Sequence, residues 1–170
     1  VQRGEIDLDT PVEKYTNLDR FEKEGGDYGR FSKEQSLEMA KKLTPRIILS
    51  HRTGLPNWAA SPSSDAWPAS TITFEKKPYQ ESDSTIMFTY SGEGFAYLQH
   101  TLEHLTGKSL NELATQYVFE PFGMPNSWYG WRESFEGQVT VGHQTDGTPT
   151  SVMRYPRANC GYTLMTCAQD

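Results

Sequence analysis

Residues 88–124, FTYSGEGFAYLQHTLEHLTGKSLNELATQYVFEPFGM, predict two helices in series. Apolar residues of the first helix recur at three-and-four spacing, which places them along one helical face. They are Phe95, Leu98, Leu102 and Leu105. Gly107 follows this stripe and can adopt the left-handed conformation that ends a helix. We therefore expect the stripe to face a core.

The second helix of this stretch has its own start and stop signals. Ser109 and Glu112 form a capping box, in which the hydroxyl and the carboxylate each accept a hydrogen bond from a backbone N–H. Pro121 and Gly123 end the helix. Its predicted apolar face comprises Leu110, Leu113, Ala114, Tyr117 and Val118.

The turn that leads into the first helix, Tyr90-Ser91-Gly92, is the candidate functional element. An extended run gives way here to a helix N-terminus, where backbone N–H groups and the helix dipole favour anions and oxyanions. A structural interpretation is also open, in which Tyr90 is a buried aromatic residue and Ser91 is an N-cap.

Composition excludes several function classes. The 170 residues suffice for one domain with a core, and the net charge of -6 argues against a nucleic-acid partner. The sequence contains no apolar run of the roughly 18 residues that a membrane span needs. Its two cysteines lack the C-x-x-C spacing of a metal or redox site. No cofactor is expected.

Other helices have readable boundaries. Ser32 and Gln35 form a capping box for a helix that continues through Ala40. Thr44 and the proline after it begin a short buried helix over 46–51, which Gly54 stops.

Two later features complete the predicted fold. Residues 57–71 are rich in Ser, Ala and Pro, and Trp58 and Trp67 within them need packing partners, so this segment is expected to wall a site. Residues 138–144 and 148–155 flank the dipeptide Asp146-Gly147, which favours a tight hairpin turn. The predicted class is mainly α with a late β-hairpin.

His100, Glu103 and His104 match the H-x-x-E-H pattern of some zinc peptidases. On a helical wheel, however, both histidines lie opposite the apolar stripe and point to solvent. A solvated polar face is the favoured interpretation, and no metal site is predicted. His51 and His143 are isolated, so we interpret each as a hydrogen-bonded structural histidine.

The common nucleophile motifs are missing from this chain. Ser-x-x-Lys, G-x-S-x-G and Lys-Thr-Gly occur nowhere in the 170 residues. The chain opens on Val1 inside a motif-like phrase and ends where residues 166–170 look like the start of a helix. We therefore expect a fragment of a longer polypeptide that does not itself hold the nucleophile.

Four phrases, taken together, resemble the superfamily of serine beta-lactamases, penicillin-binding proteins and esterases. GEIDLDTPVEKY at 4–15 is similar to the segment after the nucleophile helix, and LTPRIILSHRTGLP at 43–56 to the family's Ser/Thr-Gly-Leu-Pro turn. The stretch 88–124 resembles the Tyr-x-Asn motif and its two helices, and NCGYTLMTCAQD at 159–170 a later motif. The resemblance is greatest to class C beta-lactamases and D-Ala-D-Ala carboxypeptidases.

This resemblance implies a fold and a place within it. In the family a helical lobe is inserted into an α/β lobe, and the active site lies between the two. Residues 1–170 would be a single helical lobe that lacks the upstream nucleophile helix and the downstream sheet. Its partner would be the remaining α/β lobe of the same chain. A periplasmic or cell-envelope location is an expectation from the family alone.

The resemblance also implies a function. Tyr90 would be catalytic, because the family's tyrosine works with the motif lysine in moving the proton of the nucleophilic serine. Ser91 and Gly92 would contact substrate, although Gly92 stands where the family has Asn. The implied activity is that of a serine acyl hydrolase that forms an acyl-enzyme with a beta-lactam, peptide or ester substrate. The alternative is a non-catalytic binding or scaffold relative.

Overall fold

The computed structural model describes residues 1–22, 30–60, 72–80 and 88–170. The described part is mostly helical, as the sequence predicted, and it also contains one small antiparallel sheet. The chain divides into two compact units, Val1–Ser109 and Leu110–Asp170. The organisation of 1–170 as a single helical lobe stays a prediction.

The named elements in the described residues of the first unit are all helical, and loops connect them. A 3₁₀ turn is followed by four α-helices, and α4 is the longest of them. They are the turn Val12–Lys14, α1 (Asp19–Glu22), α2 (Lys33–Ala40), α3 (Pro45–Leu49) and α4 (Gly92–Thr106). The core centres on Phe21, whose ring stacks on Phe74 at 5.5 Å between centroids and meets the edge of Tyr97 at 5.2 Å.

Local sequence signals set several of these boundaries. The predicted capping box of α2 is present, with the Ser32 hydroxyl and the Gln35 side chain both accepting backbone N–H groups. Thr44 caps α3 as predicted, its hydroxyl accepting the Ile47 N–H at 3.3 Å. Gly107 ends α4 with a φ of 66°, which glycine adopts without steric cost.

The end of α3 differs from the sequence prediction. The helix stops at Leu49, and His51, predicted to be its last residue, instead has a left-handed φ of 55°. Gly54 does not end the helix; it allows a close approach, because a Cβ there would collide with the carbonyl oxygen of Lys76. A tertiary contact rather than a helix terminus therefore requires this glycine.

The predicted apolar stripe of α4 packs against the core. Leu98 is buried, while Phe95, Leu102 and Leu105 are partly buried against the core cluster. The helix is more enclosed than the stripe predicted, because the loop after α3 contacts its first turn and Tyr97 packs against Phe21. Its further buried residues are Gly92, Glu93, Gly94, Ala96, Tyr97, Gln99 and Thr101.

The second unit combines two short helices with the sheet. Its elements are α5 (Leu110–Ala114), a π-helical turn (Thr115–Phe119), β1 (Trp128–Tyr129), a 3₁₀ turn (Glu133–Phe135) and β2 (Leu164–Met165). The two strands pair antiparallel, with Trp128 opposite Met165. Across the described ranges of both units, no helix has the length and apolar character to cross a membrane.

The predicted apolar face of the second helix is wrong in its second half. Tyr117 is 40% exposed and Val118 43% exposed, whereas Phe119 is buried. The cause is the π-helical turn, in which the Glu120 N–H reaches back five residues to the Thr115 carbonyl at 3.0 Å. A π-helical turn holds more residues than an α-helical turn, so later residues lag in phase and a stripe counted with the α-helical period falls on the solvent side.

The turn at Asp146-Gly147 forms, although its pairing is short. The Gly147 N–H donates to the Gln144 carbonyl at 3.0 Å, and a single bridge joins His143 to Pro149. Regular strand pairing lies instead between β1 and β2, which the sequence did not predict. Residues 166–170, expected to start a helix, end in a turn, and the Thr166 hydroxyl bonds to that of Ser127 at 2.7 Å.

Candidate active site at the start of helix α4

Tyr90 lies just before the N-cap of α4 with its ring at the surface. The side chain is 57% exposed, so the interpretation of Tyr90 as a buried core residue is wrong. One face of the ring stacks on the imidazole of His51, with 4.4 Å between centroids and an angle of 27°. The phenol is therefore accessible from solvent on a ring that has a fixed support.

Ser91 is the N-cap of α4. Its hydroxyl accepts the Gly94 N–H at 3.0 Å and donates to the Pro56 carbonyl at 2.9 Å. The residue is buried, so this hydroxyl serves to start the helix and to fasten it to the loop after α3. Contact between Ser91 and a substrate stays a prediction.

The first N–H groups of α4 are used within the protein. The Gly92 N–H donates to Asn57 Oδ1 at 3.0 Å, and the Glu93 N–H donates to the Asn57 carbonyl at 2.7 Å. With the Gly94 N–H on Ser91, three donors at the helix start have partners. The expectation that this terminus offers its N–H groups to an oxyanion is thus corrected: Asn57 and Ser91 take that place.

Gly92 lies against the indole of Trp58. A Cβ at position 92 would lie 2.6 Å from both Cε2 and Cη2 of that ring, closer than any carbon contact allows. The absence of a side chain at position 92 and the presence of the indole therefore depend on each other. Trp58 packs against the start of α4, whereas Trp67 lies outside the described residues, and the expectation that segment 57–71 walls a site stays a prediction.

A buried ion pair holds the same turn of helix. Glu93 is fully buried, and its carboxylate binds the guanidinium of Arg20 and accepts the Ala59 N–H at 3.1 Å. A carboxylate in the first turn also suits the helix dipole. The sequence shows the acidic residue but not its partner, since Arg20 precedes it by 73 positions.

His51 is the residue that sequence reasoning placed outside the site. Its Nδ1 accepts the Ser91 N–H at 3.0 Å, in agreement with the prediction of a hydrogen-bonded structural histidine. The only sequence signal was its place in the phrase SHRTGLP, which does not reveal a contact with Tyr90.

His104 is exposed, as predicted for both histidines, whereas His100 is partly buried. Their ring centroids are 6.4 Å apart, and Nδ1 of His104 lies 3.1 Å from the Tyr15 carbonyl oxygen. In the parts of the chain that the structure describes, no group of three or more His, Cys, Asp or Glu residues could hold a metal ion.

The second unit contains two cavities, of about 230 Å³ and about 570 Å³. The smaller is lined by the π-helical turn and by Trp128 and Arg132, and the larger by residues on either side of Phe135 and by Thr166. Tyr90, Ser91 and Gly92 line neither cavity. We therefore choose the candidate site by the accessible phenol of Tyr90 and not by the volume of a cavity.

A mostly helical chain with a short antiparallel sheet agrees with the helical lobe of a serine beta-lactamase fold. The sequence model of the Beta-lactamase family matches residues 1–170, and the chain belongs to this family of serine hydrolases. A comparison with curated proteins gave no match.

Solved structures share the fold. The class C beta-lactamase from Rhodobacter sphaeroides is 20% identical with a TM-score of 0.61, over 99% of this chain and 43% of that one. A penicillin-binding protein homologue from Pyrococcus abyssi is 22% identical with a TM-score of 0.62, over 96% of this chain and 37% of that one.

A third structure is somewhat more similar in sequence. The D-amino acid amidase from Ochrobactrum anthropi SV3 is 25% identical with a TM-score of 0.63, and the match covers 97% of this chain and 50% of the amidase. The chain thus spans half or less of the length of these three proteins.

Proposed function

We propose that this chain is the helical part of a serine acyl hydrolase that works through an acyl-enzyme. The nucleophilic serine would come from outside these 170 residues, because none of their serines lies in a Ser-x-x-Lys motif. One observation carries the proposal: in a chain of this family, the Tyr90 phenol is exposed on a ring fixed at the start of α4. Tyr90 is the proposed catalytic residue.

The proposed reaction needs a proton acceptor for the attacking serine, and Tyr90 can take this role. A serine hydroxyl attacks an acyl carbon only when a positioned group accepts its proton, and a tyrosine ionised beside a cationic amine can do so as the phenolate. The serine oxygen then bonds to the acyl carbon, the leaving group departs with a proton, and water later releases the acyl group. Tyr90 would accept the first proton and return it to the leaving group.

The surroundings of Gly92 bear on the substrate. Where the family pattern has an Asn that contacts a substrate amide, this chain has Gly92 with the Trp58 indole against it. Gly92 is buried and has no side chain, so position 92 cannot make the substrate hydrogen bond of an Asn side chain. We therefore propose a small-molecule ester or amide, in preference to a peptide read through its backbone.

The second candidate is a non-catalytic relative that uses the lobe for binding. It is favoured by the helix start itself, where Asn57 and the Ser91 hydroxyl occupy the first N–H groups of α4. The two candidates differ in whether the whole protein contains a reactive serine.

Sequencing the reading frame around this chain and labelling the whole protein with a fluorophosphonate separates the two. The enzyme proposal predicts an upstream Ser-x-x-Lys and one label per chain, which alanine at that serine abolishes. A folded whole protein that lacks the motif and takes no label would instead be the binding relative.

A further inference from the structure

We infer that His51 is the positioning residue of Tyr90, an inference that rests on the proposed function. It would act by fixing the phenol, without itself touching the substrate. Three contacts made by one residue, an unusual backbone conformation and a defined tautomer support it.

His51 contacts Tyr90 and both of its neighbours in the chain. Its carbonyl oxygen accepts the Thr89 N–H at 2.9 Å, and its Nδ1 accepts the Ser91 N–H at 3.0 Å. Between these two bonds its ring stacks on the Tyr90 ring at 4.4 Å. The backbone on either side of Tyr90 and one face of its side chain are therefore held by a single residue.

The imidazole is itself held in place. The ring of Phe95 lies 4.8 Å from it between centroids, and the ring of Phe88 meets it edge-on at 5.3 Å. Because Phe95 belongs to α4, the imidazole is packed against the helix whose start it binds. Because the His51 imidazole is packed on these sides, it holds the stacked Tyr90 ring in one position.

The backbone of His51 would be served better by glycine. The N–H groups of His51 and Arg52 bond to the carbonyls of Ile48 and Ile47, both at 3.0 Å, which is the Schellman motif that ends α3. The left-handed position of this motif usually holds glycine, because a Cβ there comes too close to the following carbonyl oxygen. Among the described residues, His51 is the only non-glycine with a positive φ. The end of α3 alone would therefore favour glycine at position 51, so we attribute the histidine there to the contacts of its side chain.

The hydrogen bond also assigns the tautomer. Nδ1 can accept the Ser91 N–H only when it carries no proton, so His51 is a neutral imidazole with its proton on Nε2. This assignment is a prediction about Nε2, an atom for which no contact with a described residue determines the proton.

NMR on the 170-residue chain tests the positioning directly. Nitrogen-proton correlation should show His51 as the Nε2–H tautomer. In His51→Gly, the Ser91 amide should exchange with solvent about tenfold faster, while the amides at positions 51 and 52 keep their protection, because glycine suits the cap. His51→Phe, which keeps a ring and loses the acceptor, should also speed exchange at Ser91.

The matched control is His143→Phe, which changes an exposed histidine in the second unit and should leave Ser91 exchange unaltered. An Nδ1–H tautomer, or unchanged Ser91 exchange in both His51 variants, would overturn the inference.

In the whole protein, His51→Gly should lower kcat about tenfold and change KM less than twofold, because a misplaced phenol slows proton transfer without altering substrate binding. His51→Phe should recover part of kcat through its retained stacking. If Tyr90→Phe slows acylation and His51→Gly does not, the positioning role is wrong while the proposed function stands. If Tyr90→Phe has no effect, the proposed function fails, whatever the NMR result.

Discussion

Two residues at the start of α4 contact residues that are distant in sequence, and these contacts explain the glycine at position 92 and the fixed ring of Tyr90. Position 92 requires glycine because the Trp58 indole occupies the space of a Cβ. The Tyr90 ring is held in place because the His51 ring stacks on it. These contacts span 34 and 39 positions (92−58 and 90−51). The sequence could single out Tyr90 and Ser91 from the local turn, but it gave no sign of their supports, because stacking between distant residues leaves no local pattern.

Gly92→Ala should destabilise the protein by about 1–3 kcal/mol, the usual cost of forcing a methyl group into a filled space. Chemical denaturation of the chain measures the effect. The same change made in a Trp58→Ala background should cost much less, because the indole that it collides with is gone. Equal costs in the two backgrounds would show that Trp58 does not occupy this space.

Tyr97 should make the protein sensitive to alkali. Burial raises the pKa of this phenol above its ordinary value of 10.0, so the folded state holds the proton after the unfolded state has lost it. Its contribution to stability is therefore complete below pH 10 and falls as the pH rises further, by up to about 1.4 kcal/mol per pH unit.

Tyr97→Phe tests this dependence. The variant loses the hydrogen bond from the phenol to the Asn17 carbonyl, 3.1 Å long, and should be less stable at neutral pH. Above pH 10, its unfolding free energy should fall less steeply than that of the wild type. Parallel pH profiles for the two proteins would contradict the assignment.

At the scale of elements, the start of α4 depends on a buried ion pair. The side chains of Arg20 and Glu93 are 15% and 0% exposed, so removing the cation leaves a buried carboxylate without its partner. Arg20→Ala should therefore lower the unfolding free energy by about 3–5 kcal/mol. Arg20→Ala combined with Glu93→Gln should recover part of this loss, because the remaining group is then neutral.

The chain offers a matched control in a second arginine-carboxylate pair. Arg46 and Asp9 also form an ion pair, with two hydrogen bonds, but their side chains are 60% and 66% exposed. Arg46→Ala should leave the unfolding free energy nearly unchanged, because solvent screens an exposed pair. If both arginine variants were equally destabilised, burial would not be the cause.

Helix boundaries were the most predictable elements, because caps are local chemistry. Ser32 with Gln35, Thr44 and Gly107 each act where the sequence placed them. The π-helical turn at Thr115–Phe119 was not predictable from periodicity, since a change of phase shows only after it has occurred. The pairing of β1 with β2 was missed because two-residue strands carry no alternation to detect.

At the scale of the whole molecule, the family membership follows from the order of four phrases along the chain, and the comparisons confirm it. Hydrolase activity of this protein does not follow from family membership alone, for two reasons. The chain covers 37–50% of the three relatives described above, and its own sequence lacks the nucleophile motifs.

The 170-residue chain by itself should not hydrolyse p-nitrophenyl acetate above the buffer rate, because a positioned tyrosine without its serine has no acyl carrier. Release of p-nitrophenol is followed by absorbance, with the heat-denatured chain as the control. Turnover that a serine-directed phosphonate abolishes would show that a serine within these residues is the nucleophile.

The most direct test of the proposal that Tyr90 is catalytic is the acylation rate of the whole protein with Tyr90→Phe. This change keeps the ring that stacks on His51 and removes only the exposed phenol oxygen, so stability should stay within about 1 kcal/mol. Stopped-flow acylation with an activated ester should be slower by roughly 100-fold or more, because the serine has lost its proton acceptor. An acylation rate equal to that of the wild type, in a protein that is folded, would show that Tyr90 is not catalytic.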